Sequence, residues 1–151
     1  MIASKGSFQI LDHTADVGIQ VEAETLEDLF RCAAEAMFSV IVDSKPNLIP
    51  ALSIPIEINC KDFEIKDKGV FERLLVKWLQ ELLYIFETRH LIPTHYYIDN
   101  MSESIIEGCV KGQRFDRNRH KLKSLIKAVT YHKLKVEKND TCWFAQVIFD
   151  I

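Results

Sequence analysis

The sequence predicts an α+β fold: two long amphipathic helices packed on a largely antiparallel β-sheet. Three observations predict it. Two segments carry apolar residues at helical spacing, with one strand-like stretch between them. The other apolar stretches alternate with polar residues at the period of a strand. Beyond Pro93 no helical spacing returns, so a run of strands closes the chain, and helices set apart from such a run are the α+β pattern. No linker interrupts the order, so residues 1–151 read as a single domain.

The elements follow in turn. FQIL and VGIQVEA read as two strands joined through DHTAD. In the second, Val17, Ile19, Val21 and Ala23 alternate with Gly18, Gln20 and Glu22, which buries one face. Thr25 then opens a helix, with Glu27 and Asp28 in its first turn, where carboxylates favour the helix dipole. Thr25-x-x-Asp28 has the form of a capping box. Leu26, Leu29, Phe30, Ala33, Met37, Val40 and Ile41 keep the spacing of a single apolar face, and the helix should end near Asp43, before a loop at Pro46.

LSIPIEINC alternates as a strand, and Pro55 should leave it at a sheet edge or bulged. After Gly69, Phe71, Leu74, Leu75, Trp78, Leu79, Leu82, Ile85 and Phe86 form the apolar face of a second helix, with a boundary near Pro93. THYYIDNM, SIIEGCVKG, SLIKAVTYHKLKVE and TCWFAQVIFDI then read as strands, the last two joined by a turn at Asn139-Asp140.

Composition narrows the function classes. Runs such as AAEAMFSVIV fall well short of the ~18–20 apolar residues that cross a bilayer. MIASKGSFQI has no basic start followed by an apolar block, so no secretory signal is expected. The four cysteines lie far apart with no C-x-x-C pair, as suits unpaired thiols in a reducing cytoplasm. The net charge of −3 argues against nucleic acid as the main partner, but the charges are unevenly spread. Residues 111–135 hold nine Lys or Arg and one acid, Asp116, on an otherwise acidic chain. That segment is either a solvated loop and strand face or a contact for phosphate, RNA or an acidic protein surface.

Enzyme signatures are missing. No glycine-rich stretch could cradle a nucleotide phosphate, and neither G-x-S-x-G nor H-E-x-x-H occurs. Two acidic spots remain: DHTAD, flanked by Asp12 and Asp16, and the closing FDI, where Asp150 lies beside Ile151. If Asp16 reached Asp150 and a carboxylate at Ile151, a cation would relieve their repulsion. Oxygen-only ligands suit Ca²⁺, Mg²⁺ or Mn²⁺ rather than zinc. Spacing alone favours the plainer reading, in which Asp16 and His13 serve a turn and Asp150 sits in water. In IKAVTYHKL, Lys127, Thr130 and His132 lie on a strand whose two faces both mix polar with apolar residues: an exposed strand, or a contact surface.

DHTADVGIQVEAETLEDLF, LLVKWLQELLYIFE, IKAVTYHKLKV and the terminal VIFDI together resemble the archease family, in that order and over nearly the whole chain. Lys133 departs from the pattern, in which a small residue often follows YH. The resemblance implies a protein cofactor rather than an enzyme. Archeases activate the RtcB-type tRNA-splicing RNA ligase, which uses GTP and Mn²⁺ to guanylylate its own histidine. They promote that step, permit multiple turnover and broaden nucleotide use, in tRNA splicing and RNA repair. The implied metal ligands are Asp16, Asp150 and Ile151, holding a divalent ion, with Ca²⁺ expected ahead of Mg²⁺ or Mn²⁺. Lys127 matches a position implicated in function. Thr130, His132, His13, Arg117 and Arg119 complete the expected partner surface. The expected partner is the ligase, with RNA met through it, no membrane, and a cytoplasmic location. Two other readings stand beside this one: an RNA-binding or chaperone module using residues 111–135, and a metal-dependent hydrolase.

Overall fold

The computed structural model describes residues 6–12, 15–43, 49–60 and 69–151. The expected Pro46 loop and His13 lie outside the described residues. The order is β1 (Gly6–Asp12), β2 (Asp16–Ala23), α1 (Leu26–Ile41), β3 (Leu52–Asn59), α2 (Val70–Arg89), β4 (Leu91–Met101), β5 (Ile105–Arg114), β6 (Ala128–Val129), β7 (Lys135–Lys138) and β8 (Trp143–Asp150). Every strand pairing is antiparallel, and the α+β class is as the sequence predicts.

α1 starts where its cap dictates. Thr25 is extended, and its Oγ1 accepts from the Asp28 N–H at 3.1 Å. The Asp28 carboxylate, in place of completing the box, accepts from Arg31 Nη1 at 2.9 Å, while Arg31 Nε donates to the Tyr96 carbonyl of β4. Eleven of the sixteen residues of α1 are buried, more than a single stripe accounts for. Cys32, Ala33, Ala34 and Ala36 are small, so β1, β2 and β8 approach one side while α2 and β4 cover another. Burial pushes the Cys32 thiol up to about 12, with Glu35 and Asp28 adding to the effect, so it is an inert filler. Cys60 is buried too, but Cys109 and Cys142 are only half-buried.

α2 ends at His90, which takes the left-handed conformation at φ 56° and donates its N–H to the Phe86 carbonyl. The completely buried Trp78 ties the helices together, its Nε1 donating to the Phe30 carbonyl at 2.9 Å. The carbonyls of the last turn of α1 meet a distant segment: Lys123 Nζ donates to Ser39 O, and the Lys123 N–H to Ile41 O.

The strands are divided between two sheets. One has the order β1-β2-β8-β6, with β7 also paired to β8, and the other the order β3-β5-β4. Pro55 in β3 and Pro93 in β4 both sit on edge strands of the smaller sheet. The boundary after α2 falls at His90, just ahead of Pro93: β4 begins at Leu91, so the proline lies inside the strand, whose register shifts between Pro93 and His95. Where β4 bulges over β5, a Cβ on Gly108 or Gly112 would collide with the Tyr97 or Ile92 carbonyl.

The expected long strand SLIKAVTYHKLKVE is not one strand. It is broken into β6 and β7, which lie in succession along the same edge of β8. A turn at Lys133 (φ 53°) separates them, and Tyr131 packs against the core.

Truncating Trp78 to Ala removes the largest fully buried side chain, and urea unfolding should show a loss of about 3–5 kcal/mol. Lys133→Gly should act in the opposite direction. The left-handed conformation costs an L-residue about 1–2 kcal/mol, part of which glycine returns as chain entropy, so a gain of about 0.5 kcal/mol is expected in the same assay.

Candidate functional site

The site begins with the pairing of an early strand and a late one. β2 starts at Asp16 and β8 finishes at Asp150, and the ladder sets these two residues opposite each other. Val17, Ile19, Val21, Ala145, Val147 and Phe149 point to the core, so alternation turns both aspartates to the other face. Asp16 is half-buried and Asp150 exposed. The Ile151 N–H donates to the Ala15 carbonyl at 3.5 Å. That makes Asp16 and Asp150 a non-hydrogen-bonded pair, the kind whose side chains stand closest, with Cα atoms about 4.5 Å apart. Like charges so placed repel, at a cost of about 0.2–1 kcal/mol.

A third strand closes the other side. Ala128 of β6 faces Asp150, and the Lys127 N–H donates to the Asp150 carbonyl at 2.8 Å. Lys127 is exposed and makes no side-chain ion pair among the described residues. Gly18 belongs to the same construction. A Cβ there would meet Ile148 Cδ1 at 2.9 Å, so the glycine of DHTAD-x-G lets Ile148 lie across β2 beside the aspartates.

The rest of the IKAVTYH segment fastens the site from outside. Thr130 is bound twice to the Ile148 carbonyl, through its N–H at 3.0 Å and its hydroxyl at 2.8 Å. Its Oγ1 also accepts from the His132 N–H. Gln20 Nε2 donates to Gln146 Oε1, and Gln146 Nε2 to the Lys133 carbonyl, a polar chain from β2 through β8 to the turn. Thr130 thus holds backbone, while the His132 ring is exposed.

Other candidates stand apart. Asp12 pairs with Val17, a core-facing position, and so does not share the face of Asp16. His13 is outside the described residues. The basic segment is not one patch: Lys111 lies over the Tyr97 ring at 5.3 Å, Lys123 caps α1 and Lys135 is on β7. Arg117 and Arg119 line a separate groove of about 1020 Å³, together with Arg114, Leu122 and Leu125. Those leucines and Arg114 were not among the residues expected at a functional surface. Their one signal is apolar residues recurring inside the basic run HKLKSLIK.

Chemically, Asp16 and Asp150 offer hard oxygen donors side by side, with backbone oxygens at Ala15 and Ile151 within one residue. Among the described residues no three His, Cys, Asp or Glu side chains gather. A cation here would need its further donors from backbone, Ile151 or water. All-oxygen coordination completed by water suits Ca²⁺ or Mg²⁺.

Comparison with known proteins agrees with the pattern of residues. The Archease protein family model matches residues 8–151. A protein archease of Methanosarcina barkeri is 36% identical over 99% of this chain and 100% of its own length. That of Pyrococcus furiosus is 34% identical over 93% and 95%. The solution structure of Methanobacterium thermoautotrophicum protein 1598 superimposes with a TM-score of 0.76, at 29% identity, over 95% of this chain and 98% of that one. The segments that build the paired aspartates and their strap fall inside the matched region, and the chain belongs to the archease family.

Proposed function

We propose that the protein is a non-enzymatic cofactor of an RtcB-type RNA ligase. It promotes guanylylation of the ligase, allows repeated turnover and broadens nucleotide use, in tRNA splicing and RNA repair. Family membership over residues 8–151 supports this reading. The observation that carries the choice of site is the facing pair Asp16 and Asp150, strapped by Lys127. A ladder gains nothing from two like charges in register, so their place is better explained by a ligand than by stability.

The donor set fits a divalent ion, Ca²⁺ first and Mg²⁺ or Mn²⁺ after it, held by Asp16, Asp150 and an oxygen of Ile151. When bound, the ion would supply positive charge toward phosphate oxygens at the guanylylation site. The chain's own contribution is positional. β2 and β8 fix the spacing of the carboxylates. The Lys127 and Thr130 N–H groups hold β6 and the following turn against β8, and the exposed Lys127 ammonium offers a separate contact to an acidic or phosphate group.

Multiple-turnover joining of a 3′-phosphate RNA by an RtcB-type ligase should rise when this protein is added. Asp16→Ala or Asp150→Ala should lose at least about tenfold of that stimulation, as loss of a metal site does. Undiminished stimulation by both variants would discard the site. Phosphate release by the protein alone would return the hydrolase reading, and salt-sensitive RNA binding without ligase would return the RNA-binding one.

Metal binding has its own readout in thermal unfolding. Saturating Ca²⁺, at about 100 times its dissociation constant, should stabilise the wild type by about 2.7 kcal/mol and Asp16→Ala far less. In a chelator the order should invert. Asp150→Asn removes the repulsion and should be more stable than the wild type by about 0.2–1 kcal/mol.

A further inference from the structure

The separate groove lined by Arg117 and Arg119 has a lining that this role does not use. It lies where the end of α2, the start of β3 and the end of β5 meet the 115–125 segment, and it measures about 1020 Å³. Leu52, Leu122 and Leu125 present exposed side chains to it, Leu125 at 66%. Ile49, at 58%, adjoins through its N–H bond to Gln113. These are four of the seven large apolar residues left exposed among the described residues, so the patch is a concentration and not scatter.

The rim is cationic. Arg114, Arg117 and Arg119 are exposed, and among the described residues their side chains make no ion pair or hydrogen bond. Two acids also line the groove. Glu87 is exposed, and Asp116 already accepts from the Asn118 N–H at 2.9 Å within its own turn. That turn is fixed from below: buried His120 accepts the Asp116 N–H on Nδ1 at 2.8 Å and packs on Phe115. Arg117 and Arg119 thus stand on a hydrogen-bonded turn, with Arg114 at the end of β5.

We propose that this groove docks an acidic, amphipathic segment of a partner protein, its apolar side chains on the leucines and its carboxylates toward the three arginines. The lining favours a polypeptide over RNA. Bases stack on open aromatic faces, whereas the groove's phenylalanines are a 9%-exposed Phe86 and a Phe115 packed on His120; His90 is its one exposed ring, against three exposed leucines. Position gives the docking a use. Leu125 is two residues from Lys127, about 7 Å of extended chain at most, so one wall of the groove runs directly into the segment that is hydrogen-bonded to Asp150. The inference does not require the partner to be the ligase, and its test needs no ligase.

The probe is a fluorescein-labelled synthetic peptide repeating Glu-Leu-Leu-Glu, titrated with the full-length protein by fluorescence anisotropy. Beside it run the same peptide with serine for leucine, a lysine-for-glutamate version, and a single-stranded oligoribonucleotide. Saturable binding of the first peptide alone, weakened by salt, is expected. Leu125→Asp, and separately the pair Arg117→Glu and Arg119→Glu, should each weaken it by about tenfold or more. All three positions are exposed, so circular dichroism should confirm an unchanged fold. Equal binding of the serine peptide, tighter binding of the oligoribonucleotide, or full affinity in the variants would overturn the proposal.

Discussion

The register between β2 and β8 is the constraint on which the rest of the molecule depends. In a strand pair a slip of one residue exchanges the faces. Here it would bring Asp150 to the core position of Phe149 and turn a fully buried phenylalanine to water. The buried row of Val17, Ile19 and Val21 against Ala145, Val147 and Phe149 is therefore what keeps two carboxylates opposed on the outer face. Packing against α1 stabilises that row, and α1 in turn is held by the Trp78 bond from α2. Hydrophobic burial on one side of the sheet thus offsets electrostatic repulsion on the other.

Much of the fold was legible because period alone carries it. The strands β1, β2, β5 and β8, both helices and the Thr25 cap lie close to where the spacing of apolar residues put them. The losses have identifiable causes. Lys133 in a left-handed turn breaks a stretch whose β propensity reads as continuous, since a lysine does not announce that conformation as glycine would. Pro93 hid the first residues of β4 because edge position and a bulge, which excuse a strand proline, are tertiary facts. Division into two sheets is likewise absent from alternation, which reports facing and not partnership.

For the site, residue types were legible and their meeting was not. Nothing in the spacing of Asp16 and Asp150 says that they face each other; strand pairing decides that, and only the family resemblance suggested it. The pairing of β1 with β2 removes Asp12, which it places on the opposite face from Asp16. Thr130 was read as surface, yet its hydroxyl is spent on the Ile148 carbonyl. The basic run, uniform as text, is dispersed into a helix cap, a strand edge, a ring contact and a groove wall.

The acidic pair joins the second strand to the eighth, so its formation is tied to the order in which the chain comes together. Pairings distant in sequence carry a high loop-closure entropy and form late in folding. The β1–β2 pairing is local in sequence, whereas Asp16 gains its counterpart only when β8 pairs with β2. The charged face therefore depends on a long-range contact, and only a molecule with β8 in place presents it.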